Sequence, residues 1–155
     1  MFEPNLDRIL IDEPFFAGMR REHVEFIAGC AKNVRFKDGD MLFREGEDAD
    51  TFYLLREGQA ALQLKAAGHT RVTIQTVETG EVVGWSWLVG THVWRHSARA
   101  VGDVRAIAFD GACLRNKCEQ NAELGYEVLK RVANLIAHRL EATRLQLLDI
   151  YAAQG

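Results

Sequence analysis

The stretch DGDMLFREGEDADTFYLLREGQAALQL, residues 38–64, carries the reading of the fold. It opens on a turn at Asp38, Gly39 and Asp40, then gives a short apolar run, Met41 to Phe43. A polar loop built around Gly46 follows. TFYLLRE then runs apolar into Gly58 and QAALQLK leaves it, so a hairpin is expected at that glycine. Upstream, Val34 and Phe36 alternate with Arg35 and Lys37, the period of a half-buried strand. Downstream, AAGHT at residues 66–70 makes a second hairpin. RVTIQTV after it sets Val72 and Ile74 against Arg71, Thr73 and Gln75. Further strands are expected near residues 81–83, 97–101 and 104–109. About eight short antiparallel strands, spaced by glycine turns, predict a β jelly roll.

Helices flank that roll, so the class is mainly β with helical additions (α+β). Residues 1–31 form an N-terminal helical segment punctuated by Pro4 and Pro14, with Val24, Ile27 and Ala28 on one side of a short amphipathic helix and Phe26 near its edge. Residues 32–109 are the roll. Residues 110–155 are a short helix capped by Asp110, then a long one capped by Asn121 that runs to about Tyr151. Thirty residues of helix span about 45 Å, more than a small roll can cover. In heptads, Tyr126, Ala133, Leu140 and Leu147 share one seam position and Leu129, Ile136, Thr143 and Ile150 the other. A second stripe holds Val128, Val132, Leu135, Leu145 and Leu148. One stripe packing on the roll and the other on a second copy predicts a homodimer. One wide stripe inside a monomer is the alternative.

The net charge of −3 shows no basic stripe for nucleic acid. Three cysteines without a Cys-x-x-Cys pair, no signal-peptide pattern and no apolar run long enough for a bilayer predict a cytoplasmic protein with reduced thiols and no membrane contact. Cys113 and Cys118 stand five apart on a helix, on different faces, so no metal site is expected. No catalytic motif selects a nucleophile, a P-loop or a metalloprotease helix, and no catalytic residue is assigned.

The order of elements resembles the cyclic nucleotide-binding domain, most of all the sensor domain of Crp/Fnr-type regulators. The residues that carry the likeness are the 38–64 stretch, the Gly80-Glu81-Val82-Val83-Gly84 turn, SARAVGDVRAIAFD at residues 97–110, and the two closing helices. The glycines Gly39, Gly46, Gly58, Gly80 and Gly84 match the turns of that roll. The resemblance implies a cyclic purine nucleotide, cAMP or cGMP, held in a cassette between two strands. In that family backbone N–H groups cradle the phosphate, a glutamate takes the ribose hydroxyl, an arginine pairs with the phosphate, and the long helix covers the base. It also implies a helix-turn-helix beyond the long helix. Only five residues follow Ile150, so no direct sequence-specific DNA binding is expected and a downstream protein partner is implied instead.

The cassette departs from that pattern. All three tryptophans fall in GWSWLVGTHVWRHSARA, residues 84–100. Trp85 stands where the ribose glutamate belongs. Counting back from Arg99 and Ala100, Trp94 stands where the phosphate arginine belongs. Counting forward from Gly84, Arg95 takes that place. The candidate ligand-binding set is therefore Gly84, Trp85, Ser86, Trp87, Trp94, Arg95, His96 and Ser97. Ser86 can donate to a phosphate or carboxylate beside Gly84, and His96 with Trp94 can meet an anionic or aromatic guest. Core packing is the plain alternative for Trp85 and Trp87, shielding of a strand edge for Trp94, and solvent for Arg95, His96 and His69. Arg139 and Arg144 can reach a guest from the long helix or serve as flank charges. Three functions stay open: a ligand sensor with an altered cassette, a barrel whose filled pocket leaves an interaction role, or a cAMP or cGMP receptor in which Arg95 holds the phosphate.

Overall fold

The computed structural model describes residues 5–154, with the side chains of His69 and Gln154 outside the description; Pro4 and the expected setting of His69 therefore lie outside the described residues. The N-terminal segment is helical in short pieces. Helix α1 is Leu6–Ile11, a 3-10 turn follows at Pro14–Phe16, and α2 is Arg21–Ala28. Val24, Ile27 and Ala28 are buried and Phe26 is 41% exposed, the amphipathic division expected of α2. Six strands follow: β1 (Ala31–Phe36), β2 (Met41–Phe43), β3 (Thr51–Lys65), β4 (Arg71–Val77), β5 (Val82–Val83) and β6 (Ser97–Asp110). Helix α3 is Gly111–Gln120 and α4 is Ala122–Gln154.

All strand pairs are antiparallel, in the order β1-β6-β3-β4, with β2 on β6 and β5 on β3. The sheet is built on β3 and β6, which pair from Thr51 with Asp110 to Gln63 with Ser97. Each is one long strand where the sequence suggested two short ones, so the count is six rather than eight. In β3 the reason is Gly58. It does not turn a hairpin. It sits at φ 83° inside β3, where the register shifts between Glu57 and Gln59. A glycine bulge of this kind bends a strand without ending it. One strand can then serve both ends of the roll. The hairpin expected at residues 66–70 is present, closed by the Ala66 N–H donating to the Thr70 carbonyl at 2.7 Å.

Two apolar cores result. One joins the helices to one end of the roll and holds Leu6, Leu10, Val24, Phe52, Trp87, Phe109, Leu124 and Val128. The other lies within the roll around Phe43, Leu55, Leu62, Val83, Trp94 and Ala100. Both predicted caps form: the Asp110 carboxylate accepts the Cys113 N–H at 3.0 Å and the Asn121 amide oxygen accepts the Leu124 N–H at 3.1 Å. Along α4, Val128 and Val132 are buried and Leu135 is half-buried, so the second stripe meets the roll as far as Leu135. Leu145 and Leu148 on the same stripe are 55% and 63% exposed.

The expectation of reduced thiols is corrected. Cys30 and Cys113 form a disulfide, their Cα atoms 6.0 Å apart across 83 residues of sequence. The register explains the meeting: Ala31 pairs with Phe109, and the Cys30 carbonyl accepts the Asp110 N–H, so the start of β1 lies beside the start of α3. Cys118 is free and half-buried; burial, then Glu119, raises its thiol above the usual range. No helix of the described residues is long and apolar enough to cross a membrane.

Candidate functional site

The strand β5 ends at Val83, and Gly84 turns the chain away at φ 99°. Residues 85–89 make a single turn, with the Leu88 and Val89 N–H groups both donating to the Trp85 carbonyl at 3.0 and 3.3 Å. The chain then returns to β6 through residues 90–96. That return is anchored on the 44–50 loop: the Trp94 N–H donates to the Glu47 carbonyl (3.0 Å) and the Gly46 N–H to the Trp94 carbonyl (2.9 Å). The backbone of Trp94 is thus fixed on both sides.

Its side chain points into the roll. Trp94 is 3% exposed and stacks on Phe43 with centroids 3.7 Å apart and planes 11° from parallel. The far edge of the indole lies on Gly84. A Cβ on that glycine would meet Trp94 Cη2 at 2.6 Å, so only a residue without a side chain fits beneath the ring. Arg95 turns the other way, is exposed, and donates from Nη2 to Thr91 Oγ1 at 3.3 Å. Trp87 belongs to the other core. It is fully buried and stacks on Phe52, which stacks in turn on Phe109. Its indole N–H has no acceptor. Trp85 is half-buried between that core and His96, whose ring it meets edge-on at 6.1 Å. The three indoles therefore divide among three settings.

Polar side chains of this segment and of α4 are enclosed as well. Ser86 is buried, and the Ser97 hydroxyl accepts the Glu45 N–H at 2.9 Å. His96 lies beside Ser97, with Nδ1 3.4 Å from the Ser97 carbonyl; burial lowers its basicity first, and Arg139 lowers it further. Arg139 comes from α4. It is 7% exposed, donates from Nη2 to the Val82 carbonyl at 3.1 Å, and leaves Nε without a partner. Among the described residues it forms no ion pair, although the charge of Glu81 partly offsets the burial that lowers its pKa. A buried guanidinium without a carboxylate is costly unless something compensates it.

Two glutamines tie α4 down beside it. Gln75 Nε2 donates to the Arg139 carbonyl (3.1 Å) and to Thr143 Oγ1 (2.9 Å), and Gln146 donates to the Ile74 carbonyl. Thr143, assigned from heptads to a seam between copies, is thus bonded to β4, and Ile136 packs partly on the first core. The other seam residues Leu129, Leu140, Leu147 and Ile150 are each about half exposed, at 49%, 50%, 49% and 54%. Arg144 is exposed and pairs with Glu141 on its own helix. Sequence reading did not single out Phe43, Gln75 or Gln63, the last buried with its carbonyl oxygen unsatisfied. Gln75 falls on the polar side of the β4 alternation and Gln63 in the mixed run of β3, so neither carries a sequence signal. Phe43 carries none beyond an ordinary strand aromatic. No group of three metal-ligating side chains is assembled among the described residues.

Residues 33–121 match the sequence model of the cyclic nucleotide-binding domain. A CRP-like cAMP-activated global transcriptional regulator of Mycobacterium tuberculosis is 23% identical over 145 residues. That match takes in 94% of this chain but 63% of the regulator, so the chain spans under two thirds of its length. The crystal structure of a Geobacter metallireducens GS-15 protein assigned to the cyclic nucleotide-binding class superposes with a TM-score of 0.80 at 31% identity, covering 87% of this chain and 98% of that one. The regulatory subunit of a cAMP-independent protein kinase A from Trypanosoma cruzi, bound to guanosine, shares the fold at TM-score 0.68 and 19% identity, over 84% of this chain and 45% of that one. With more than half its length matched by the family model, and a near-complete structural counterpart, this chain belongs to the cyclic nucleotide-binding domain family.

Proposed function

We propose that this chain is a ligand-sensing regulatory module with an altered cassette, working as a homodimer through α4. The observation that carries the reading is Trp94, buried against Gly84 and stacked on Phe43 where the family likeness puts a phosphate and its arginine. An indole there removes both the charge and the volume. A cyclic nucleotide held in the ordinary way would leave its phosphate unpaired beside an aromatic ring, a loss of about 1–3 kcal/mol or more per buried group. Arg95, on the surface with Thr91, does not replace the missing contact. The cation on hand is Arg139 on the long helix, with His96 in its field. The guest this suits is a small anionic or aromatic molecule gripped from α4, and its occupancy would be passed to a protein partner through the dimer. The half-exposed seam from Leu129 to Ile150 supports that dimer. Resemblance to a bacterial transcriptional regulator supports a cytoplasmic setting.

A thermal-unfolding panel of cAMP, cGMP, guanosine and inorganic phosphate tests the reading. A ligand at one hundred times its Kd adds about 2.7 kcal/mol of stability. Cyclic nucleotides should give no such rise, and any guest that does should lose its effect in Arg139→Gln. Strong stabilisation by cAMP that survives Arg139→Gln and disappears in Arg95→Ala contradicts the proposal. A second reading rests on the same ring: if Trp94 fills the pocket wholly, the panel is flat throughout and the intact dimer is an interaction subunit.

A further inference from the structure

A cavity with apolar walls lies outside the roll. It measures about 510 Å³ and sits where the N-terminal segment, the Gly80–Glu81 turn and α4 meet. That volume is ordinary for a small-molecule site. Phe15, Val82 and Leu135 form its apolar surface. Lys130, Asn134 and His138 stand four apart along one face of α4 and bring polar ends to its rim.

The charges in the wall are not equivalent. Glu127 is held by Arg131, at 2.5 Å, and that arginine is in turn bound to the Phe15 and Ala17 carbonyls at 2.9 and 2.6 Å. Glu81 accepts the Glu78 N–H at 2.8 Å and lies in the field of Arg139. Both acids and the arginine are therefore committed within the protein. Lys130 and His138 form no ion pair among the described residues; Lys130 approaches the Tyr126 ring, at 5.7 Å, and lies in the field of Glu127, whose carboxylate is already held by Arg131. What remains for a guest is an apolar cleft with an ammonium, an amide and an imidazole, and no uncommitted carboxylate.

We infer that this cleft is a second binding site, separate from the cassette, for a small organic acid with a flat or short apolar body and one carboxylate. The body lies on Phe15, Val82 and Leu135, and the carboxylate meets Lys130 and His138, with Asn134 donating between them. A guest there touches the N-terminal segment, the turn that opens the cassette, and α4 at once. It joins three elements whose relative positions set the cassette, and it does so whether or not the cassette holds a ligand.

The test is a 1H–15N titration of the whole chain with 1-naphthoate, and with 1-naphthamide as the neutral analogue. Naphthoate should shift the Gly18, Gly80 and Leu135 amides saturably. Naphthamide should bind at least about tenfold more weakly, and Lys130→Met with His138→Gln should weaken naphthoate by at least about tenfold. Both variant positions are exposed, so the fold is not at stake. His96→Asn, a change in the cassette segment outside the lining of this cleft, should leave naphthoate binding unchanged, which separates the two sites. Equal binding of the neutral analogue, an unaffected double variant, shifts mapping to other residues, or no saturation by millimolar naphthoate would each overturn the inference.

Discussion

Gly84→Ala should be among the most damaging single-methyl additions in this protein, and Trp94→Leu should rescue much of the damage. Gly84 has φ 99°, where a residue with a Cβ is strained by about 1–2 kcal/mol. The added carbon would also lie 2.6 Å from Trp94 Cη2 and 2.8 Å from Cζ3. Overpacking against a fixed core ring adds about 1–3 kcal/mol. The ring cannot step aside, because Phe43 stacks on its face and both backbone groups of Trp94 are bonded to the 44–50 loop. The sum is about 2–5 kcal/mol for Gly84→Ala, a large share of the roughly 5–15 kcal/mol that holds a domain together. Leucine at position 94 destabilises on its own, by less than the roughly 3–5 kcal/mol of a truncation to alanine. In that background the clash is gone and Gly84→Ala costs only the strain, about 1–2 kcal/mol. The coupling between the two substitutions is therefore about 1–3 kcal/mol, favourable to the pair. Urea unfolding of the four proteins by circular dichroism, at one protein concentration, gives the cycle. Additivity within about 0.5 kcal/mol would mean that ring and glycine do not touch, and the reasoning fails.

Reducing the Cys30–Cys113 bond, or replacing either cysteine by serine, should lower stability by up to about 4.5 kcal/mol, the chain-entropy value for closing this long a loop; urea midpoints with and without reductant check it. The proposed homodimer should become monomeric in Leu140→Glu with Leu147→Glu without unfolding of the roll, seen as a fall to one-chain mass by light scattering with an unchanged far-ultraviolet spectrum. Burial holds His96 below its usual pKa in the folded chain, so the unfolded chain takes up the proton first as pH falls. Its contribution is then complete above about pH 6.5 and is lost on acidification below that, and His96→Asn should flatten the stability slope in that window.

Much of the fold could be read from residue patterns. The period-two strands, the 66–70 hairpin and both helix caps depend on neighbours in sequence, and all are present. Gly58 was misread for a physical reason: a hairpin and a glycine bulge both ask for positive φ, and only the partner strand distinguishes them. The Cys30–Cys113 bond was hidden because strand register, not spacing, brings β1 to α3. Within the cassette segment, sequence marked the tryptophans as unusual but could not say which ring faced which core. That depends on the 44–50 loop clamping Trp94, a contact across some fifty residues. Arg139 could be read as a ligand contact or a flank charge; only the packing of α4 beside Val82 shows it buried.

The central claim is that the Trp94 ring lies where a cyclic nucleotide's phosphate would be held. Titrating cAMP while following the Trp94 indole N–H resonance tests it most directly. The account predicts no saturable shift up to millimolar cAMP. A saturable shift of that resonance in the micromolar range, abolished by Arg95→Ala, would contradict it.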